Sequence, residues 1–323
     1  MRILVTGGAG YIGSVIAARL LARGDSVVVY DDLSRGHAAA VPAGAALVEG
    51  DVRDAASVAD ALRRGRCEAI VHMAALAEVG ESVLQPERYH DVNVGGTAAV
   101  IEAAQAAGVG RLVFSSTAAV YGSPRRTPIG EDDPLAPANP YGETKLAGER
   151  LLERARSSGE LTFTALRYFN ACGADGACGE DHEPETHLIP LALRAARDGT
   201  AIRVFGTDYP TADGSCVRDY VHVADLADAH IAALEALPHV QGAFNLGTNA
   251  GASVYRVLDV VETVTGLPLR RETAARRAGD PPVLVASNLK AAESLGWRPR
   301  RSLRGAITEA WGWMQSHPHG HSA

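Results

Sequence analysis

Tyr141 and Lys145 stand four residues apart in Asn139-Pro140-Tyr141-Gly142-Glu143-Thr144-Lys145, downstream of a hydroxyl cluster, Ser115-Ser116-Thr117. Residues i and i+4 of a helix share one face, so the ammonium can stand close to the phenol. A free tyrosine loses its proton near pH ~10 and is a poor base at neutrality. A fixed cation beside it favours the phenolate and brings the group toward the working range. An upstream Ser or Thr can then hydrogen-bond the same substrate oxygen. The chemistry expected is proton transfer at a hydroxyl-bearing carbon. An ordinary amphipathic helix can carry the same pair, so its partners decide.

The first partner is a phosphate-binding opening. A strand-like run, Arg2–Thr6, leads into Gly7-Gly8-Ala9-Gly10-Tyr11-Ile12-Gly13 and then an apolar helical stretch. Gly7, Gly10 and Gly13 allow a tight turn, close approach of backbone N–H groups to a pyrophosphate, and close helix–sheet packing. The helix N-terminus then faces the phosphate. A second strand ends at Tyr30-Asp31-Asp32, with Asp31 eighteen residues after Gly13. A carboxylate there can accept from both hydroxyls of an adenosine ribose and repels a 2′-phosphate, which favours NAD over NADP. Asp31 could also be a turn or cap residue, and Arg35 keeps NADP open. A third strand closes at Gly50-Asp51-Val52, where Asp51 could reach the adenine amino group.

Positioning these groups calls for a parallel sheet. Apolar, β-branched runs recur at 2–6, 26–30, 45–49, 68–72, 111–115 and 161–167, with Ala- and Leu-rich helical stretches near 11–23, 54–64, 80–107 and 141–158. That alternation predicts an α/β, Rossmann-type doubly wound sheet covered by helices on both faces. Beyond residue 170 loop signals dominate 171–186 and 206–216, among helices near 187–198, 223–236, 253–265 and 302–316 and a short strand at 243–246. The expected division is a dinucleotide-binding region over 1–170 and a smaller α/β substrate-binding region over 171–323, some of whose segments return to the first.

Composition narrows the class. With 323 residues the chain can bury a substantial core. A net charge of −7 and a pI near 5.9 give no reason to expect nucleic acid or an anionic membrane as partner. Cys67, Cys172, Cys178 and Cys216 form no Cys-x-x-Cys pair, which argues against a disulfide framework or structural zinc and fits a reducing compartment. No metal site is expected, the His317–His321 tail being read as a loose polar end. No signal peptide or membrane span is expected, and the expected location is cytoplasmic.

With these pieces placed, the chain resembles the extended short-chain dehydrogenase/reductase family and, within it, the UDP-glucose 4-epimerases (UDP-galactose 4-epimerases). Besides the loop and the Tyr/Lys pair, the likeness rests on Phe114–Gly122, Leu166–Asn170, His187–Pro190, Phe205–Gly214, Val217–Leu226 and Arg276–Asp280. The segments Asp208–Gly214 and Val217–Val223 are the most specific of these.

The resemblance implies NAD-dependent interconversion of UDP-galactose and UDP-glucose through a 4-keto sugar, with the cofactor tightly bound and regenerated. It implies that Tyr141 is base and acid, that Lys145 holds the nicotinamide ribose and tunes Tyr141, and that Thr117 binds the sugar hydroxyl. Ser116 stays open for that last role, because the spacing from Thr117 to Tyr141 is about one residue short. Tyr11, Ile12, Asp31, Asp32, Asp51, Val52, Ala74, Ala75 and Asn93 would line the cofactor, with Phe169 near the nicotinamide. Asn170, His187, Leu188, Arg203, Phe205, Arg218, Arg277, Asp280 and Leu284 would face the UDP-sugar, the arginines offering fork-shaped donors to its diphosphate.

Three positions depart from some relatives. Ala77 replaces a Lys near the cofactor phosphates, His187 replaces an Asn, and Leu284 replaces a larger Tyr, which leaves room for N-acetylated sugars. UDP-GlcNAc/GalNAc or UDP-xylose epimerisation is therefore the nearest alternative. A 4,6-dehydratase would need acids where Ala118 and Ala119 stand, and a non-catalytic cofactor sensor would not need Tyr141 and Lys145. A homodimer is expected from the family, the Ala-rich 92–107 stretch permitting it.

Overall fold

The computed structural model describes residues 1–277 and 280–321; Ala278 and Gly279, part of the Arg276–Asp280 segment, lie outside them. Six strands follow one another through the first half: β1 (Arg2–Thr6), β2 (Ser26–Asp31), β3 (Ala46–Glu49), β4 (Ala69–His72), β5 (Arg111–Thr117) and β6 (Thr162–Tyr168). Together with Gly242–Leu246 they form one seven-stranded sheet in the order Gly242–Leu246, β6, β5, β4, β1, β2, β3. Every pairing in it is parallel. The order reverses between β1 and β4, so the crevice beyond their carboxyl ends is where a dinucleotide fits.

Strand residues alternate between two cores, as the period of two requires. Ile3 and Val5 of β1 enter one core with Val15, Ile16 and Leu20 of α1 (Tyr11–Ala22). Leu4 enters the other with Val58 and Leu62 of α2 (Ala55–Gly65). All three β1 residues are fully buried, which explains why the strand reads as continuous apolar sequence.

The single helix expected over 80–107 is broken. It consists of α3 (Val79–Leu84), α4 (Pro86–Tyr89), a π-helical turn (His90–Gly95) and α5 (Gly96–Ala107). Pro86 has no N–H to continue α3 and opens α4 at its first position. The next helix, α6 (Pro140–Ser157), starts where Asn139 accepts from the Gly142 amide at 2.9 Å with Pro140 behind it. That cap sets Tyr141 in the first turn and Lys145 one turn further.

The second half builds its own core around α7 (Leu188–Asp198), Val254–Thr265 and Leu303–Ser316. Ala201–Phe205 pairs there with Arg270–Ala274. Yet α8 (Val223–Ala236) packs into the first core beside α1, and Gly242–Leu246 joins the main sheet. The tail differs from the loose end expected. His317 stacks on Trp313, and the His321 amide donates to Asp181 at 2.7 Å. Among the described residues no helix is long and apolar enough to cross a membrane, and all four cysteines are buried and free.

Candidate active site

The glycine loop is a backbone cradle. Gly7 has φ +68°, and a Cβ on it would meet the Ala74 amide at 2.6 Å; one on Gly13 would meet the Gly7 carbonyl at 2.1 Å. Gly10 caps α1 with no side-chain acceptor, which leaves the amides of Tyr11, Ile12 and Gly13 at the open helix end. Asp31 is buried and accepts the Ala9 amide on one oxygen (3.0 Å) and the Leu33 amide on the other (2.9 Å). Burial lifts its carboxyl above the usual range, the two amides opposing. It therefore stands against the loop, with acceptor capacity left for a ribose. This donor and acceptor set fits a dinucleotide.

Other expected cofactor residues are more occupied than their types suggested. Asp32 is exposed and ties the amide and hydroxyl of Ser34. Asp51 accepts from both the amide and the guanidinium of Arg53, while Val52 packs on Gly96. Tyr11 donates its hydroxyl to the Gly173 carbonyl at 2.6 Å. Asn93, on the π-turn, spends its side chain on the Leu76 backbone (2.8 and 3.0 Å) and on Thr144 (2.9 Å). It braces the loop after β4, which carries half-buried Ala74 and Ala75, against the helix of Tyr141. Arg35, which had kept NADP open, donates twice to Glu81 at 2.9 Å and once to the Glu183 carbonyl. Its fork is taken, so it does not await a 2′-phosphate. Ala77 is exposed in the same cavity of about 250 Å³ that Arg35 borders.

At the end of β5 the two candidate hydroxyls part. Ser116 donates to Glu149 at 2.5 Å, away from the cleft, whereas Thr117, on the opposite face of the strand, accepts the Ala119 amide at 3.1 Å and opposes the rise of the Tyr141 phenol. Alternation along a strand is the cause, since neighbours point to opposite faces. Lys145 is buried, donates to the Ser115 carbonyl at 3.0 Å and lies 5.1 Å from the Phe114 ring centre. Burial pushes Tyr141 up to about 12, with Thr117 opposing and Glu78 adding to the rise. Burial likewise pushes Lys145 down to about 7. Desolvation is the leading cause at both groups.

The residues expected to face a substrate come from separated segments. Val283–Leu284 pairs with Val217–Arg218, Leu284 standing opposite Arg218. Arg218 donates to the Val217 and Pro281 carbonyls and pairs with Asp280 at 3.2 Å. The Arg277 guanidinium lies 4.1 Å above the Phe205 ring. Phe169 and Leu284 share a small apolar cluster with Val120 and Leu146 at the carboxyl edge of the sheet. Asn170 donates to the Asp219 carbonyl. Arg203 is exposed on Ala201–Phe205, and His187 and Leu188 sit where α7 begins.

Residue types alone missed the brace behind the site. Glu149 and Arg167 form a buried ion pair at 2.6 Å, and Arg167 also donates to Tyr121, which donates to Asn245. The network locks α6, β5, β6 and Gly242–Leu246 together. An apolar strand with a central Arg was its visible signal. Glu149 is held there, so it cannot serve as the acid that Ala118 and Ala119 lack.

A Rossmann crevice with a Thr–Tyr–Lys set at its mouth defines a nucleotide-dependent short-chain enzyme. The chain belongs to the NAD dependent epimerase/dehydratase family, whose model matches residues 3–247. It is 47% identical over 326 residues to a UDP-glucose 4-epimerase of Lacticaseibacillus casei, covering 99% of this chain and 98% of that one. It is 48% identical over 327 residues to one of Streptomyces lividans, with 99% and 98% covered. The crystal structure of the UDP-glucose 4-epimerase from Brucella ovis in complex with NAD superposes with a TM-score of 0.93 at 45% identity, covering 96% and 97%.

Proposed function

We propose that this chain is an epimerase that interconverts UDP-galactose and UDP-glucose by transient oxidation at C4 to a 4-keto sugar. The observation that carries the reading is Tyr141, set by the Asn139 cap in the first turn of α6, with Thr117 at the carboxyl end of β5 and buried Lys145 one turn further. NAD, when bound, would supply the hydride acceptor and donor for C4. Tyr141 removes the O4 proton and gives it back; Thr117 holds the same oxygen. Burial keeps Tyr141 protonated. Lys145 would supply the positive field that helps release the Tyr141 proton. Asp31 would hold the adenosine ribose and the amides after Gly10 the pyrophosphate. Arg218 and Arg277 would keep the diphosphate clamped while the ketosugar turns.

The half-buried Leu284 beside Phe169 supports a second, broader reading in which N-acetylated UDP-sugars also fit. Val79, Val83 and Leu84, exposed together on α3, support a homodimer through the helices after β4 and β5. Four free cysteines favour a cytoplasmic setting.

The deciding experiment is incubation of purified protein with UDP-galactose and no added cofactor. UDP-glucose should form, and denatured protein should release nicotinamide dinucleotide; if neither happens the reading is wrong. Tyr141→Phe should keep the bound dinucleotide and lose turnover by about 100- to 10,000-fold. Near-normal turnover would remove Tyr141 from its role.

A further inference from the structure

Eight residues ahead of α7 hold Glu180, His182, Glu185 and His187, and only His187 has so far been given a task. Each offers one ligand atom, and the four atoms lie within 4.8 Å of one another. We propose that these four side chains bind one divalent transition-metal ion, with zinc the best match, pinning the Gly173–His187 segment to the start of the substrate-side helix.

The distances suit such an ion. His187 Nδ1 lies 2.8 Å from Glu185 Oε1 and 2.9 Å from Glu180 Oε1; His182 Nδ1 lies 3.5 Å from that same Glu180 oxygen. Ligand atoms about 2.0–2.2 Å from zinc at tetrahedral corners stand roughly 3.3 Å apart, so shifts of a few tenths of an ångström would complete the shell. Two imidazoles with two carboxylates are a borderline donor set. Calcium and magnesium instead ask for about six or more oxygens.

A second observation points the same way. The Glu185 side chain is 1% exposed, and its Oε2 has no hydrogen-bond partner, although Oε1 already accepts the Thr186 and His187 amides at 2.7 Å each. His182 Nδ1 is likewise buried and unpartnered. A proton on His187 would answer the carboxylate oxygens it touches and leave those two atoms with nothing. A dication answers all four residues and balances the two carboxylates. The surroundings already orient the ligands. The His182 ring meets Tyr11 of the glycine loop edge-on at 6.5 Å, and Tyr11 is tied to Gly173 at the other end of the segment. His187, 45% exposed, leaves an entry path.

The test must separate this site from the tail, where His317, His319 and His321 could also take metal. Protein purified without a histidine tag is stripped with a chelator, dialysed, and titrated with zinc and with cobalt(II). Expected are one zinc per chain by elemental analysis, the visible absorption of tetrahedral cobalt, and a higher melting temperature with metal. His182→Ala and Glu185→Gln should each weaken binding by about tenfold or more, with folding checked by far-UV circular dichroism. The triple tail variant, with all three of its histidines changed to Ala, should bind as the unaltered chain does. His182→Ala alters a partly exposed ring, so it keeps the test open if Glu185→Gln fails to fold. Absence of binding, binding untouched by both substitutions, or binding lost with the tail histidines would each overturn the proposal.

Discussion

The two sides of the active-site cleft are made of different materials. The dinucleotide side is backbone: Gly7 and Gly13 sit where a Cβ would strike Ala74 or Gly7 itself, and Asp31 is held by two amides. The side proposed for the sugar nucleotide is side chains, with Arg218 on Asp280 and Arg277 over Phe205, drawn from strands and loops far apart in sequence. Backbone geometry has little freedom and suits a group that never varies, such as a cofactor's pyrophosphate. Side-chain pairs can be re-aimed, which suits a ligand that must turn while it stays held.

The contrast can be broken most decisively at Gly13. A methyl group there should lower NAD affinity by about 100-fold or more, overpacking costing about 3 kcal/mol and each 1.4 kcal/mol being tenfold. Full NAD content in purified Gly13→Ala would show that the cradle yields more than its geometry suggests. Arg218→Met should be gentler and one-sided, raising the KM for the UDP-sugar by about 30-fold, as expected for a charged hydrogen bond of ~2 kcal/mol. Bound NAD should not change; a parallel loss of NAD would mean that the two sides are not separable. Leu284→Tyr should lower any UDP-GlcNAc turnover relative to UDP-galactose by about tenfold, on the scale of pocket discrimination, and an unchanged ratio would discard the pocket argument.

The smallest effect is on stability. Lys145 has its folded pKa depressed to about 7, below the ~10.4 of an unfolded lysine, so the unfolded chain binds more protons between those values. Stability contributed at this position therefore rises from pH ~7 to ~10 and is lowest below. Melting curves across that range should climb by a few degrees more for the unaltered chain than for Lys145→Met. Parallel curves would mean that the ammonium is not desolvated.

Much of the cofactor side could be read from the chain because glycines before a helix have few other uses. Thr117 against Ser116 could not be decided by counting; strand alternation decides which hydroxyl faces the cleft, and that needs the end of β5 to be known. The stretch 80–107 read as one helix because Ala and Val repeat through it, while Pro86 and the π-turn that aims Asn93 are local events that periodicity averages away. Asn93 and Tyr11 were expected to line the cofactor, yet their side chains brace the protein itself. The Glu149–Arg167 pair was invisible because its partners lie on different elements. The Glu180–His187 cluster contains no cysteine, so a Cys-x-x-Cys pattern does not reveal it.

The seventh strand bears on how such proteins can be recombined. Gly242–Leu246 lies beside β6, and its Asn245 accepts from the Tyr121 that Arg167 holds. A chimaera that swapped everything after residue 170 for a relative's sequence would import a foreign edge for the sheet and a foreign end for that polar chain. Donor and recipient would have to trade the sugar-facing stretches in pieces, leaving 223–246 in place. Specificity in this architecture is therefore exchangeable only as separate inserts threaded around a strand that stays with its host.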